Sequence, residues 1–136
     1  MRQAALIAIT IALAATPAAA QIVSQPAPKP GATHTYMQGE PVSGLPGKSA
    51  TMQSVAWPAG STTGRQSNNG DEYALVTEGN LTVNVTGSAP RVYRAGEAYH
   101  IAGGVVYEIQ NMGPTTAYTV EFQLIDQGKP AAQPAR

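Results

Sequence analysis

Short alternating segments, each closed off by glycine or proline, restrict this chain to an all-strand fold. Glycine-rich corners recur every eight to twelve residues through its middle, and no amphipathic helical period of useful length runs between them. The clearest unit is GEAYHIAGGVVYEIQN, from Gly96 to Asn111: a strand, a tight Ala102-Gly103-Gly104 corner, and a second strand over Val105–Gln110. In that second strand Val105, Tyr107 and Ile109 share one face, and Val106, Glu108 and Gln110 share the other. A period of two marks a half-buried strand, so Tyr107 points with two apolar residues into a core or a cavity. Many short strands at this spacing make a β-sandwich or barrel.

The same reading places strands over Thr33–Gln38, Ala50–Trp57, Glu72–Thr77, Asn80–Thr86, Arg91–Ala95 and Thr115–Asp126. Leu81, Val83 and Val85 form the core side of the fourth of these. Glu78-Gly79 between the third and fourth reads as a hairpin turn, because glycine supplies the positive φ such turns often need. The last strand alternates Val120, Phe122 and Leu124 against Thr119, Glu121 and Gln123.

The flanks differ in kind from the middle. MRQAALIAITIALAATPAAA, residues 1–20, has a basic start, an apolar run too short to span a bilayer comfortably, and a small-residue end, the layout of a secretory signal peptide. The expected location is therefore secreted or periplasmic. Residues 21–32, QIVSQPAPKPGA, read as an extended Pro-rich leader, residues 33–126 as one packed domain, and residues 127–136 as a Pro- and Ala-rich tail expected to fray. Eight basic against eight acidic side chains, with no basic cluster, argue against nucleic acid as a partner. With no cysteine there is neither a disulfide nor a site for a lipid anchor, so no membrane anchor is expected in the mature form.

Two spacings in the middle of the chain resemble the motifs of the cupins, a family of small jelly-roll barrels. The second cupin motif runs Gly, five residues, Pro, any residue, Gly, two residues, His, three residues, Asn; Gly96, Ala102, Gly104, Tyr107 and Asn111 stand at those places. The first runs Gly, five residues, His, any residue, His, three or four residues, Glu, six residues, Gly; here the places hold Gly60, Gln66, Asn68, Glu72 and Gly79. The resemblance implies an all-β, cupin-type jelly-roll β-barrel, and a homodimer paired through its sheets.

In typical cupins the two histidines and the glutamate of the first motif and the histidine of the second hold a divalent metal. In this chain those four places are Gln66, Asn68, Glu72 and Tyr107, and every imidazole is gone. Transition ions favour imidazole nitrogen, whereas amide oxygens are neutral, weak donors, so no cofactor is expected. A divalent metal enters only if Glu72 and Tyr107 act with a displaced histidine. Of the two histidines, His100 groups by parity with Ala98, opposite Tyr99 and Ile101, and reads as a rim residue; His34, near the leader, reads as a surface residue.

Three functional expectations remain open. Gln66, Asn68, Glu72 and Tyr107 can each hydrogen-bond a small polar molecule, forming an apolar pocket with a few convergent polar atoms. Alternatively, Glu72 acts as general acid or base and Tyr107 as oxyanion stabiliser in a lyase, isomerase or dioxygenase-type enzyme. In the third, the four side chains merely satisfy one another inside a structural barrel.

Overall fold

The computed structural model describes residues 31–135; the segment read as a signal peptide and most of the Pro-rich leader lie outside the described residues. Ten strands follow one another: β1 (Thr33–Pro41), β2 (Lys48–Trp57), β3 (Gln66–Asn68), β4 (Gly70–Glu78), β5 (Asn80–Val85), β6 (Arg91–Arg94), β7 (Ala98–Ile101), β8 (Val106–Gln110), β9 (Ala117–Asp126) and β10 (Ala132–Pro134). They form two five-stranded antiparallel sheets, ordered β1-β2-β9-β4-β7 and β10-β3-β8-β5-β6. Among the described residues there is no helix. This is the jelly-roll architecture that the resemblance implies.

The core lies between the sheets. Val55 and Trp57 of β2, Ala74 and Val76 of β4, and Tyr99 and Ile101 of β7 face Leu81 and Val83 of β5 and Tyr107 and Ile109 of β8. Each strand contributes alternate residues, as the period of two requires. Parity also holds at β7: His100 stands on the outer face, its ring stacked on Tyr73 with centroids 4.5 Å apart.

The Glu78-Gly79 turn is not a hairpin. β4 pairs with β7 and β9, whereas β5 pairs with β6 and β8, so the chain passes at Gly79 from one sheet to the other. Gly79 has φ of 73°, and a Cβ there would stand 2.8 Å from the Ala117 Cβ. The corner thus needs glycine for both its backbone angle and the pressure of β9. A turn residue marks a reversal of direction without saying which strand becomes the partner.

The tail also departs from expectation. Instead of fraying after Asp126, the chain returns as β10, which pairs with β3 through Ala132–Asn68, Gln133–Ser67 and Pro134–Gln66. The Asn69 amide donates to the Ala131 carbonyl at 3.0 Å, and the Ala135 amide to Arg65 at 3.0 Å. Pro134 is tolerated because an edge strand pairs on one side only. A chain ending at Asp126 is expected to leave the edge of β3 bare, and hydrogen exchange at the Asn69 amide should quicken on the order of tenfold; unchanged exchange would show that β10 contributes nothing to holding β3.

The outer face of the first sheet is unusually apolar. Met52, Phe122, Tyr73 and His100 are successive partners in one line across β2, β9, β4 and β7. Phe122 is 40% and Tyr73 49% exposed. The inward set on β9 is accordingly Ala117, Thr119, Glu121, Gln123 and Ile125, apolar at the ends and polar in the middle.

Candidate functional site

β3 and β8 lie side by side and set Gln66 directly opposite Tyr107. Across the barrel, β4 and β9 set Glu72 opposite Gln123. These registers bring the four sequence-predicted residues together in one chain of hydrogen bonds. Gln66 Nε2 donates to the Tyr107 hydroxyl at 2.7 Å, which donates to Asn68 Oδ1 at 2.7 Å. Asn68 Nδ2 donates to Glu72 Oε2 at 2.8 Å, and Gln123 Nε2 donates to the same oxygen at 2.8 Å. The Tyr107 hydroxyl has one proton, and the shorter contact to Asn68 takes it in preference to Glu72 Oε2 at 3.3 Å.

A second network, absent from the sequence reading, stands beside the first. Trp57 Nε1 donates to Thr119 Oγ1 at 3.0 Å, and Thr119 Oγ1 donates to Glu121 Oε1 at 2.8 Å. Gln53 Nε2 donates to Glu121 Oε2 at 2.6 Å. His34 Nδ1 lies 3.3 Å from Gln53 Oε1, which places this histidine at the site although its residue is exposed. The phase of β2 carried the missing signal: Gln53 is two residues from Val55 and four from Trp57, so whatever faces the tryptophan side also faces inward.

Both networks border a cavity of about 440 Å³ walled by Trp57, Gln66, Glu72, Tyr107, Glu121 and Gln123, with Pro130–Ala132 of the returning tail closing part of the wall. Asn68 lies behind that wall and reaches the cavity through Tyr107 and Glu72. His100 is elsewhere, on the outer face and 3.4 Å from the Asp71 carboxylate.

Two carboxylates therefore border the same cavity: Glu72 is 2% and Glu121 3% exposed. Glu121 pairs across the strands with Ala74, two residues from Glu72, making the two glutamates diagonal neighbours. Such neighbours lie about 7–8 Å apart, where unit charges repel by about 2 kcal/mol at an effective dielectric near 20. Burial first, and the Glu72 charge second, push the Glu121 carboxyl up to about 7, against the hydrogen bonds from Thr119 and Gln53. The same two causes, in the same order, hold the Tyr107 phenol well above its usual range, so it stays a hydroxyl donor at neutral pH.

The residues at the metal-ligand places do not fit a transition ion. Two amide N–H groups, from Asn68 and Gln123, converge on the Glu72 carboxylate, an arrangement of donors around an acceptor. A metal needs the reverse, lone pairs converging on a cation, and neither imidazole nor thiolate is among the four. Among the described residues no group of three or more His, Cys, Asp or Glu is placed to hold a metal.

The sequence profile of the Cupin domain family matches residues 53–122. Among solved structures, a cupin domain from Bordetella pertussis Tohama I is similar over 71% of this chain and 96% of its own, with 21% identity and a TM-score of 0.57, and speaks for the fold alone. An oxalate oxidase, solved with the substrate analogue glycolate, is 28% identical with a TM-score of 0.59, over 81% of this chain and 56% of that one. A DMSP lyase from Ruegeria pomeroyi DSS-3 shares 14% identity and a TM-score of 0.57, over 63% of this chain and 43% of its own. No match is found among curated proteins.

Proposed function

Because the chain belongs to the cupin domain family, we propose that it is an exported cupin that binds a small polar molecule inside the barrel without a transition metal. One observation carries this reading: a cavity of about 440 Å³ in whose wall Gln53, Gln66, Glu72, Tyr107, Glu121 and Gln123 are each held in place by another side chain. Preorganised polar groups lose little entropy on binding, which is how a small pocket gains affinity. Export is supported by the layout of residues 1–20. A void beside Tyr107 counts against the purely structural reading, in which the side chains would fill the interior themselves.

The test is a thermal-shift screen against sugars, amines, sugar acids and osmolytes, followed by calorimetry on the hits. A stabilising ligand is expected, because a molecule that binds only the folded state raises its melting temperature. A blank screen across all four classes contradicts the reading. Tyr107→Phe should keep the fold, since the ring remains packed in β8, and should weaken the identified ligand by about 0.5–1.5 kcal/mol through loss of one hydroxyl. An unchanged affinity, with circular dichroism showing a native fold, would remove Tyr107 from the pocket.

A second reading, an isomerase or lyase, is favoured by one feature. A carboxyl with a pKa of about 7 exchanges a proton with a substrate near neutral pH, and that carboxyl belongs to Glu121 rather than to any residue the motif spacing names. Its test is turnover of a thermal-shift hit by the wild type, followed by NMR: a consumed ligand supports it, and an unaltered one leaves binding alone.

A further inference from the structure

Resting on the binding reading above, we infer that the ligand is a small molecule carrying a protonated amine, held between Glu72, Glu121 and Gln123. The cavity is rich in acceptors and has no lysine or arginine in its lining. Both hydrogen bonds that Glu72 receives, from Asn68 and Gln123, land on Oε2, so Oε1 is left to a ligand. Gln123 is 4% exposed, lines the cavity, and spends its Nε2 on Glu72, while its Oε1 has no partner. A buried carbonyl oxygen without a donor marks a place where a donor is meant to arrive.

The other titratable groups near these carboxylates strengthen the case. Tyr107 and Tyr99 are neutral phenols held above their usual range, and neither lysine nor arginine lines the cavity. His34, at the mouth, is engaged with Gln53. The interior field is therefore negative, and Glu121 already feels it, since the charge of Glu72 helps push it up to about 7.

Ligand classes can be ranked on this chemistry. A carboxylate or phosphate would bring a third acidic group against a wall that already carries two buried carboxyls. A calcium ion wants six to eight oxygens, far more than the uncommitted acceptors here, and the Glu121 oxygens already accept from Thr119 and Gln53. A neutral polyol satisfies lone pairs but leaves the repulsion between the two carboxylates. An ammonium group offers three N–H donors and one positive charge, enough for Glu72 Oε1, Gln123 Oε1 and the remaining lone pairs of Glu121.

The experiment is calorimetry on the full protein, slightly above neutral pH, with three four-carbon probes that differ only in their ends: putrescine, butanediol and succinate. Putrescine is expected to bind at least about tenfold more tightly than butanediol, and succinate not to bind. Glu72→Gln and Glu121→Gln, each near-isosteric, should each weaken putrescine on the order of tenfold. Should either variant fail to fold, the three probes on the wild type still decide. Butanediol or succinate binding as tightly as putrescine overturns the amine inference and leaves the binding reading standing. Failure of all three probes also overturns it, and the binding reading falls only if the wider thermal-shift screen is blank as well.

Discussion

Replacing Gly70 with alanine is expected to destabilise the protein by about 3 kcal/mol, the upper end of the usual cost of overpacking, and to lower its melting temperature by more than about 10 °C. Gly70 opens β4 between two site residues, Asn68 and Glu72. A Cβ at this position would stand 1.8 Å from the Leu124 carbonyl oxygen and 2.8 Å from its carbon. These are backbone atoms of β9, so no side-chain rotation relieves the clash; β4 and β9 must part. The opposite side is closed as well, since a Cβ built on Gly103 would approach the Gly70 Cα to 3.0 Å. Because Glu72 pairs with Gln123 two residues beyond the clash, the pocket should loosen with the strand. Gly31→Ala is the control, with nothing within 4 Å of the added carbon. Urea unfolding of the two variants decides the matter: equal midpoints would mean that β4 and β9 are not in such close contact.

The second large effect is on stability against pH. Glu121 has a reference value of 4.5 and is pushed up to about 7 in the folded protein. Between those values the folded state keeps a proton that the unfolded state has lost, so stability falls as pH rises. The contribution is fully present below about 4.5 and lost as pH passes 7. A shift of this size corresponds to about 3 kcal/mol. Glu121→Gln carries no titrating proton and keeps a side chain of the same shape, so its stability should gain on the wild type by that amount between mildly acidic and mildly basic pH. Asp126, lowered by hydrogen bonds to Lys48 and Lys129, has the opposite slope, but it is common to both proteins and cancels in the difference. Urea midpoints for the two proteins at several pH values give the answer. Parallel curves would mean that Glu121 titrates in the folded state as it does in water.

Most of the architecture was legible because it rests on local rules. Alternation put Tyr107 inward, and it set Tyr99 and Ile101 on the face opposite His100, which the structure shows to be the buried one. Motif spacing brought Gln66, Asn68, Glu72 and Tyr107 to one place, where the structure joins them by hydrogen bonds. What escaped depends on partners far along the chain. In β9 the polar set Thr119, Glu121 and Gln123 faces inward because Trp57, Gln53 and Glu72 supply its hydrogen bonds, while Phe122 is left outside. A rule that sends apolar residues inward fails where the interior is itself polar. The return of the tail as β10 was hidden for a similar reason: its composition is that of a loose end, and only the open edge of β3 gives it a place to pair.

On the proposed reading, the amide, carboxylate and phenol groups that stand where typical cupins hold a metal bind one another and a polar ligand, and do not coordinate a transition ion. Elemental analysis tests it most directly, on untagged protein expressed with iron, manganese, zinc, copper and nickel in the medium and then dialysed. Substoichiometric metal of every kind is expected. One transition ion per chain, tightly held and lost when Glu72 is replaced by glutamine, would contradict it.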